Sequence, residues 1–191
     1  MAQDPRKRQK QKERKAAKRK EKRQALAREF IPGLGDRLSA ATKYPVLHSR
    51  FSDELWSEGI GSVLLSRELP DHSVVVSVFL VDRWCLGVKD AFAEVLGRSA
   101  YEEKYLQRRR PGSALQDVTP SAVRKFVEGA IAYAAELGIQ PHPDYHKAKL
   151  LFGDIDPSAC QDEFEYGKDG KPFYFVGPHE SSQRIRQIVN T

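Results

Sequence analysis

The stretch Val74–Val81 is apolar at every position except Ser77, and most of it is β-branched. Branching at Cβ restricts χ1 and suits a pleated surface better than a helix. Eight residues fall far short of the ~20 apolar residues that span a bilayer. A strand without polar alternation must be covered on both faces, which predicts a position inside a sheet rather than at its edge. A second strand-like run, Ile60 to Leu69, precedes it, with Ile60, Val63, Leu64, Leu65 and Leu69 apolar. Pro70-Asp71-His72-Ser73 lies between the two, a composition that favours a turn, so the pair reads as a hairpin with a four-residue connection.

Other segments fill in around that hairpin. Thr119-Pro120 opens a helix, with Thr as cap and Pro at the first helical position. Val123, Phe126, Val127, Ala130, Ile131, Ala134 and Leu137 follow at helical spacing, and Gly138 ends it. Val88, Ala91, Phe92, Val95 and Leu96 also form one helical face, closed by Gly97. Residues 99–118 read as a short helix and then a loop carrying Arg108-Arg109-Arg110 and Pro111-Gly112. Pro141 to Tyr145 is a rigid link into a short helix ending near Phe152-Gly153. Phe164–Tyr166 and Pro172–Val176 read as a closing hairpin across Gly167-Lys168-Asp169-Gly170, before a last helix after Pro178. Pro32 to Asp36 breaks any helix entering the domain, Tyr44-Pro45 marks a turn, and Trp56 is a predicted core anchor. The fold class is therefore α+β: one compact domain over residues 36–191, with a mainly antiparallel sheet of two hairpins packed by several helices.

Charge separates the rest of the chain from that domain. The 191 residues hold 32 basic and 26 acidic side chains, a net charge of +6. The first 29 positions hold thirteen basic and four acidic residues, a surplus of nine, while the remainder holds 19 basic and 22 acidic, a deficit of three. A dense run of like charge buries too little apolar area to offset the entropy of ordering. Residues 1–35 are thus expected to be a non-globular arm, disordered alone and helical once a polyanion screens its repulsion. Leu26, Phe30, Ile31 and Leu34 are its first apolar anchors. Arg6, Lys7, Arg8, Lys10, Lys12, Arg14, Lys15, Lys18, Arg19, Lys20, Lys22 and Arg23 are the expected nucleic-acid contacts. They would bind the RNA or DNA backbone by releasing condensed counterions. No aromatic residue precedes Phe30, so this contact reads as independent of sequence. A protein or ribosome partner is the alternative for the same charge.

No apolar stretch follows the basic residues, so the N-terminus does not read as a secretory signal. Cys85 and Cys160 form no C-x-x-C pair, and two lone thiols suit a reducing compartment. The expected location is cytoplasmic, with no membrane partner.

Several phrases occur together: Phe79-Leu80-Val81-Asp82, Cys85 through Phe92, Leu137 through Tyr145, and Gly167 through Pro172. As a set they resemble a group of uncharacterised bacterial proteins over roughly residues 44–180. The resemblance implies one bacterial domain and carries no activity with it.

Four clusters offer chemistry. Asp82 at the end of a central strand, with Asp90, Asp154 and Asp156, would suit a metal-dependent nuclease or hydrolase that activates water between carboxylates. Its bland counterpart is a strand-end Asp that pairs with Arg83 or Lys89 or caps the next helix. His142, Asp144 and His146 carry divalent-metal ligand chemistry, but Pro143-Asp144 reads better as a helix start. Asp154, Asp156, Ser158, Asp162 and Glu165 fall at calcium-loop spacing, yet Ala159 stands where the sharp turn needs Gly. Cys85 would need His142 or His72 as a base, and a buried inert thiol is the commoner case. No cofactor is expected beyond such a divalent metal, and no phosphate-loop motif occurs.

Overall fold

The computed structural model describes residues 33–107 and 114–174. Residues 1–32 of the basic arm, Arg108-Arg109-Arg110 and the last predicted helix lie outside the described residues. Five strands form one sheet: β1 (Val46–Ser52), β2 (Ile60–Glu68), β3 (Ser73–Asp82), β4 (Gly87–Gly97) and β5 (Leu115–Asp117). Their order is β4-β3-β2-β1-β5, and every neighbouring pair is antiparallel. The first four strands are a meander, and β5 returns to the free side of β1. The antiparallel α+β expectation holds.

The apolar character of β3 has a direct cause. Val75, Phe79 and Val81 point to an inner core shared with Val63, Leu65 and Phe51. Val74, Val76 and Val78 point to a second cluster with Leu64 and Tyr101 on the other face. Both faces are covered, so neither set of side chains can be polar without a partner. Ser77, the one polar interruption, donates from Oγ to Ala148 O at 2.9 Å.

The inner face is closed by α1 (Leu34–Ala41), α4 (Pro120–Glu136) and α5 (Tyr145–Ala148), the last running into a 3₁₀ turn at Lys149–Phe152. Thr119 caps α4 as its spacing predicts, with Oγ1 accepting from Ala122 N at 3.2 Å. Ala122, Val123, Phe126, Val127, Ala130 and Ala134 are its buried stripe. Burying each larger side chain is worth about 1.5–3 kcal/mol. Two further helical pieces are short: α2 (Glu54–Ser57), between β1 and β2, and α3 (Arg98–Tyr101), which continues as π-helix through Glu102–Gln107.

Several local expectations need correction. Residues 88–96 are not a helix but β4. The β3–β4 register shifts between Leu80 and Val81, which pair with Asp90 and Val88 and leave Lys89 as an extra residue. This bulge puts Val88 and Ala91 on the same inner face, three residues apart. With Val95 they imitate a helical stripe, although the residues beyond Ala91 alternate as a strand should. The first described helix, α1, begins at Leu34, two residues before the expected boundary at Asp36, and what precedes Gly33 lies outside the described residues. Trp56 is 40% exposed rather than a buried anchor. The Gly167–Gly170 turn forms, but only an isolated Lys168–Lys171 bridge closes it, without strands on its described flanks.

Arg67 is the one basic side chain buried in this core among the described residues, at 4% exposure. Its guanidinium donates to four main-chain carbonyls: Nε to Leu151 O at 3.2 Å, Nη1 to Thr42 O at 3.1 Å and Tyr44 O at 2.5 Å, and Nη2 to Phe152 O at 3.3 Å. The planar fork of donors staples the chain leaving α1 to the 3₁₀ turn.

Candidate functional site

The carboxylates that sequence grouped with Asp82 go to separate places. Asp82 ends β3 at 2% exposure. Its Oδ1 accepts from Trp84 N and Cys85 N, each at 3.0 Å, and so fastens the β3–β4 turn. Burial pushes its carboxyl above the usual range, opposed by those backbone bonds and by the Lys89 charge. Its Oδ2 is buried without a hydrogen-bond partner among the described residues. Asp90 stands on β4 and accepts from Ala91 N at 2.8 Å. Asp154 acts on Arg67, which pairs with Val75 near the opposite end of β3. Val75 and Asp82 are seven strand residues apart, about 23 Å. Asp156 caps a 3₁₀ turn, Pro157–Ala159, by accepting from Ser158 N at 2.9 Å. The Ser158 hydroxyl and amide bonds hold its carboxyl below the usual range. Asp82 thus has a structural role, but it caps the β3–β4 turn rather than the expected helix, and the four carboxylates share no site.

The loop with calcium spacing is organised around a lysine. Lys125 Nζ donates to Cys160 O at 3.0 Å and Asp162 O at 2.8 Å, while Glu165 is exposed. His142 and Asp144 do meet. Asp144 N donates to His142 Nδ1 at 3.3 Å, and that nitrogen lies 3.7 Å from Asp144 Oδ2 and 3.8 Å from Asp90 Oδ1. Asp144 stands at the cap position of α5 yet makes no side-chain cap bond, so the expected capping is not realised. His146 is exposed beside Tyr145. Among the described residues, no three His, Cys, Asp or Glu side chains are placed to hold a metal ion.

Cys85 and Cys160 are both free and buried. Burial, then the Asp82 charge, pushes the Cys85 thiol up to about 11. His72 sits in the β2–β3 turn at the far end of β3 and pairs with Glu68, so it is no base for that thiol. Asp90 and Lys89 belong to β4 rather than to a helix.

Two surfaces that sequence reasoning passed over are better formed. The first is a groove of about 480 Å³ on the sheet face opposite α4. Tyr101, Tyr105 and Leu106 cover one half of that face. Tyr101 is fully buried, its hydroxyl 2.8 Å from His48 Nδ1 and 2.9 Å from Ser66 Oγ. The other half is left as the groove, floored by Leu64, Val78, Leu80 and Phe92, with Glu58 and Lys104 among its polar margins. Lys104 Nζ donates to Glu94 Oε1 at 2.5 Å, and Tyr105 bonds the same oxygen. Burial raises the Glu94 carboxyl, but the Lys104 and Tyr105 bonds outweigh it and hold it low.

The second surface lies at the β3–β4 end and combines aromatic rings with cations. The Arg83 guanidinium stands over Trp56 at 5.1 Å from the ring centre. Lys168 Nζ stands over Trp84 at 5.2 Å and over Phe173 at 4.4 Å. Trp56 also packs on Phe51, Phe126 and Phe164. Main-chain bonds fix these parts: Arg83 N to Gly59 O and Gly167 N to Arg83 O, both 2.9 Å, and Phe173 N to Trp84 O at 3.1 Å. A signal existed in the sequence, since 164–174 holds Phe164, Tyr166, Phe173 and Tyr174 around Lys168 and Lys171. Only the tertiary fold brings Trp56, Arg83 and Trp84 to it.

No helix among the described residues is long and apolar enough to cross a membrane. No family model matches the chain, and neither a curated protein nor a solved structure does.

Proposed function

We propose that the protein binds nucleic acid through the sugar-phosphate backbone, with the basic N-terminal run as an electrostatic tether independent of sequence. The observation that carries this reading is the division of charge: a surplus of nine in the first 29 residues against a deficit of three in the rest. A basic run this dense attracts polyanions over a Debye length of ~10 Å and releases their counterions on contact. The acidic remainder would repel a phosphate backbone on average, which concentrates the binding in one segment. An RNA, a DNA or the RNA surface of a ribonucleoprotein would meet the same chemistry. The test compares the parent chain with a variant in which Lys7, Lys10, Lys12, Lys15, Lys18, Lys20 and Lys22 are changed to Gln. Loss of affinity for both RNA and duplex DNA is expected, with a shallower salt dependence. Equal affinity in the two chains would refute the tether.

A further inference from the structure

Beyond the tether, and resting on it, we infer that the β3–β4 end of the body is a stacking platform for unpaired nucleobases, so that the protein prefers single-stranded over duplex nucleic acid. Four large apolar side chains are exposed among the described residues: Trp56 at 40%, Phe92 at 43%, Leu150 at 39% and Phe173 at 39%. Two of the three aromatic ones, Trp56 and Phe173, stand at this end with cations over their rings, whereas Phe92 stands apart in the sheet groove with Lys104 5.9 Å from its ring centre. Phe79 and Phe126, by contrast, are sealed into the core at 0%. Leaving two partly in water has a hydrophobic cost that a stacked base would recover.

The chemistry fits a base better than an apolar peptide. A nucleobase offers a π-face to Trp, Phe or a guanidinium plane, and its linked phosphate is drawn to Arg83 and Lys168. An apolar peptide would leave both cations without a counterpart. The platform is also held in place before any ligand arrives. Residues 83–84 are clamped by main-chain bonds to Gly59 on one strand end and to Gly167 and Phe173 in the loop. Fixing rings and cations in advance lowers the entropy lost on binding. A duplex keeps its bases stacked inside and offers this surface only backbone, so the aromatic rings add nothing to duplex affinity.

The experiment uses the full chain, with a labelled oligouridylate and a labelled duplex of equal length as probes. Trp56→Leu and Phe173→Leu keep an apolar side chain and remove the aromatic face. Each is expected to weaken oligouridylate binding roughly tenfold while leaving duplex affinity unchanged. Phe92→Leu, which alters an exposed ring in the sheet groove, should change neither. Thermal unfolding of each variant checks that it is folded. If Trp56→Leu unfolds the chain, Phe173→Leu and the quenching of tryptophan fluorescence by oligouridylate in the parent carry the test. Parent-like oligouridylate affinity in the folded variants, or an equal loss for both probes, overturns the platform. The lysine-to-glutamine variant reports separately on the tether: if it binds both probes as the parent does, the tether fails whatever the platform variants do. A parent chain that binds neither probe overturns both.

Discussion

The ring of Trp84 lies so close against Gly59 that a β-carbon there would sit 2.0 Å from ring atom Cδ2. Gly59 also holds φ at +74°, a conformation that side chains strain against. The residue is glycine for two reasons at once, and the aromatic end of the body depends on both. Gly59→Ala should cost about 1–3 kcal/mol. Thermal unfolding would show a lower Tm, and the tryptophan emission should shift as Trp84 is displaced. An unchanged Tm would mean the ring has room that this packing denies it.

Asp82 separates a structural carboxylate from a catalytic one. Its Oδ1 holds two backbone amides, and burial raises its pKa above the unfolded value. A raised folded pKa means that the folded state keeps its proton longer, so this group's contribution is present at acid pH and falls as pH rises through the folded pKa. Asp82→Asn keeps the acceptor and removes the charge. Its Tm at neutral pH should match or exceed that of the parent, and the gap should close on acidification. Asp82→Ala should lose about 1–3 kcal/mol at acid pH, because two amides lose their partner, and less at neutral pH, where the parent carries the buried charge. Tm against pH for the three chains checks this. A neutral-pH Tm for Asp82→Asn well below the parent would contradict it.

His48 titrates with the opposite sign. Burial, then Arg50, lowers its pKa below 6.5 while Nδ1 contacts the buried Tyr101 hydroxyl. The unfolded chain therefore takes up a proton first, and stability is lost as pH falls from about 6.5 toward the folded value. His48→Asn retains an acceptor for Tyr101 and does not titrate. Its Tm should fall less than the parent's between neutral and mildly acid pH. Parallel curves would show that His48 does not link folding to protonation.

Arg67 binds four carbonyls from two segments, and no lysine can reproduce that fork. Arg67→Lys should destabilise the body by about 2–4 kcal/mol, since several buried carbonyls lose charged donors. Denaturant titration would report it as a lower midpoint at unchanged slope. A midpoint within error of the parent would mean that water replaces the guanidinium without cost.

What could be read in advance follows from how local each signal is. The β2–β3 hairpin and the capped helix α4 declare themselves within a few neighbouring residues, and both stand where the sequence puts them. The β4 strand hid behind its bulge at Lys89, because the inserted residue turns alternation into a three-residue step. The carboxylate cluster failed for a related reason: Asp82 and Asp154 are plausible partners until the sheet places them at opposite ends of a strand. Conversely, Trp56, Arg83, Trp84, Lys168 and Phe173 come from three distant segments, and no spacing along the chain announces that they meet. The charge division needed no fold at all.

The most direct test of that division is the salt dependence of RNA binding by the full chain, measured by fluorescence anisotropy beside the lysine-to-glutamine variant. Log affinity for single strands should fall with log salt at a slope near −0.7 per phosphate contact, so seven neutralised contacts should flatten it by roughly five units. That result would establish the basic run as the electrostatic tether. A slope that is the same in both chains, or binding that ignores salt, would contradict it.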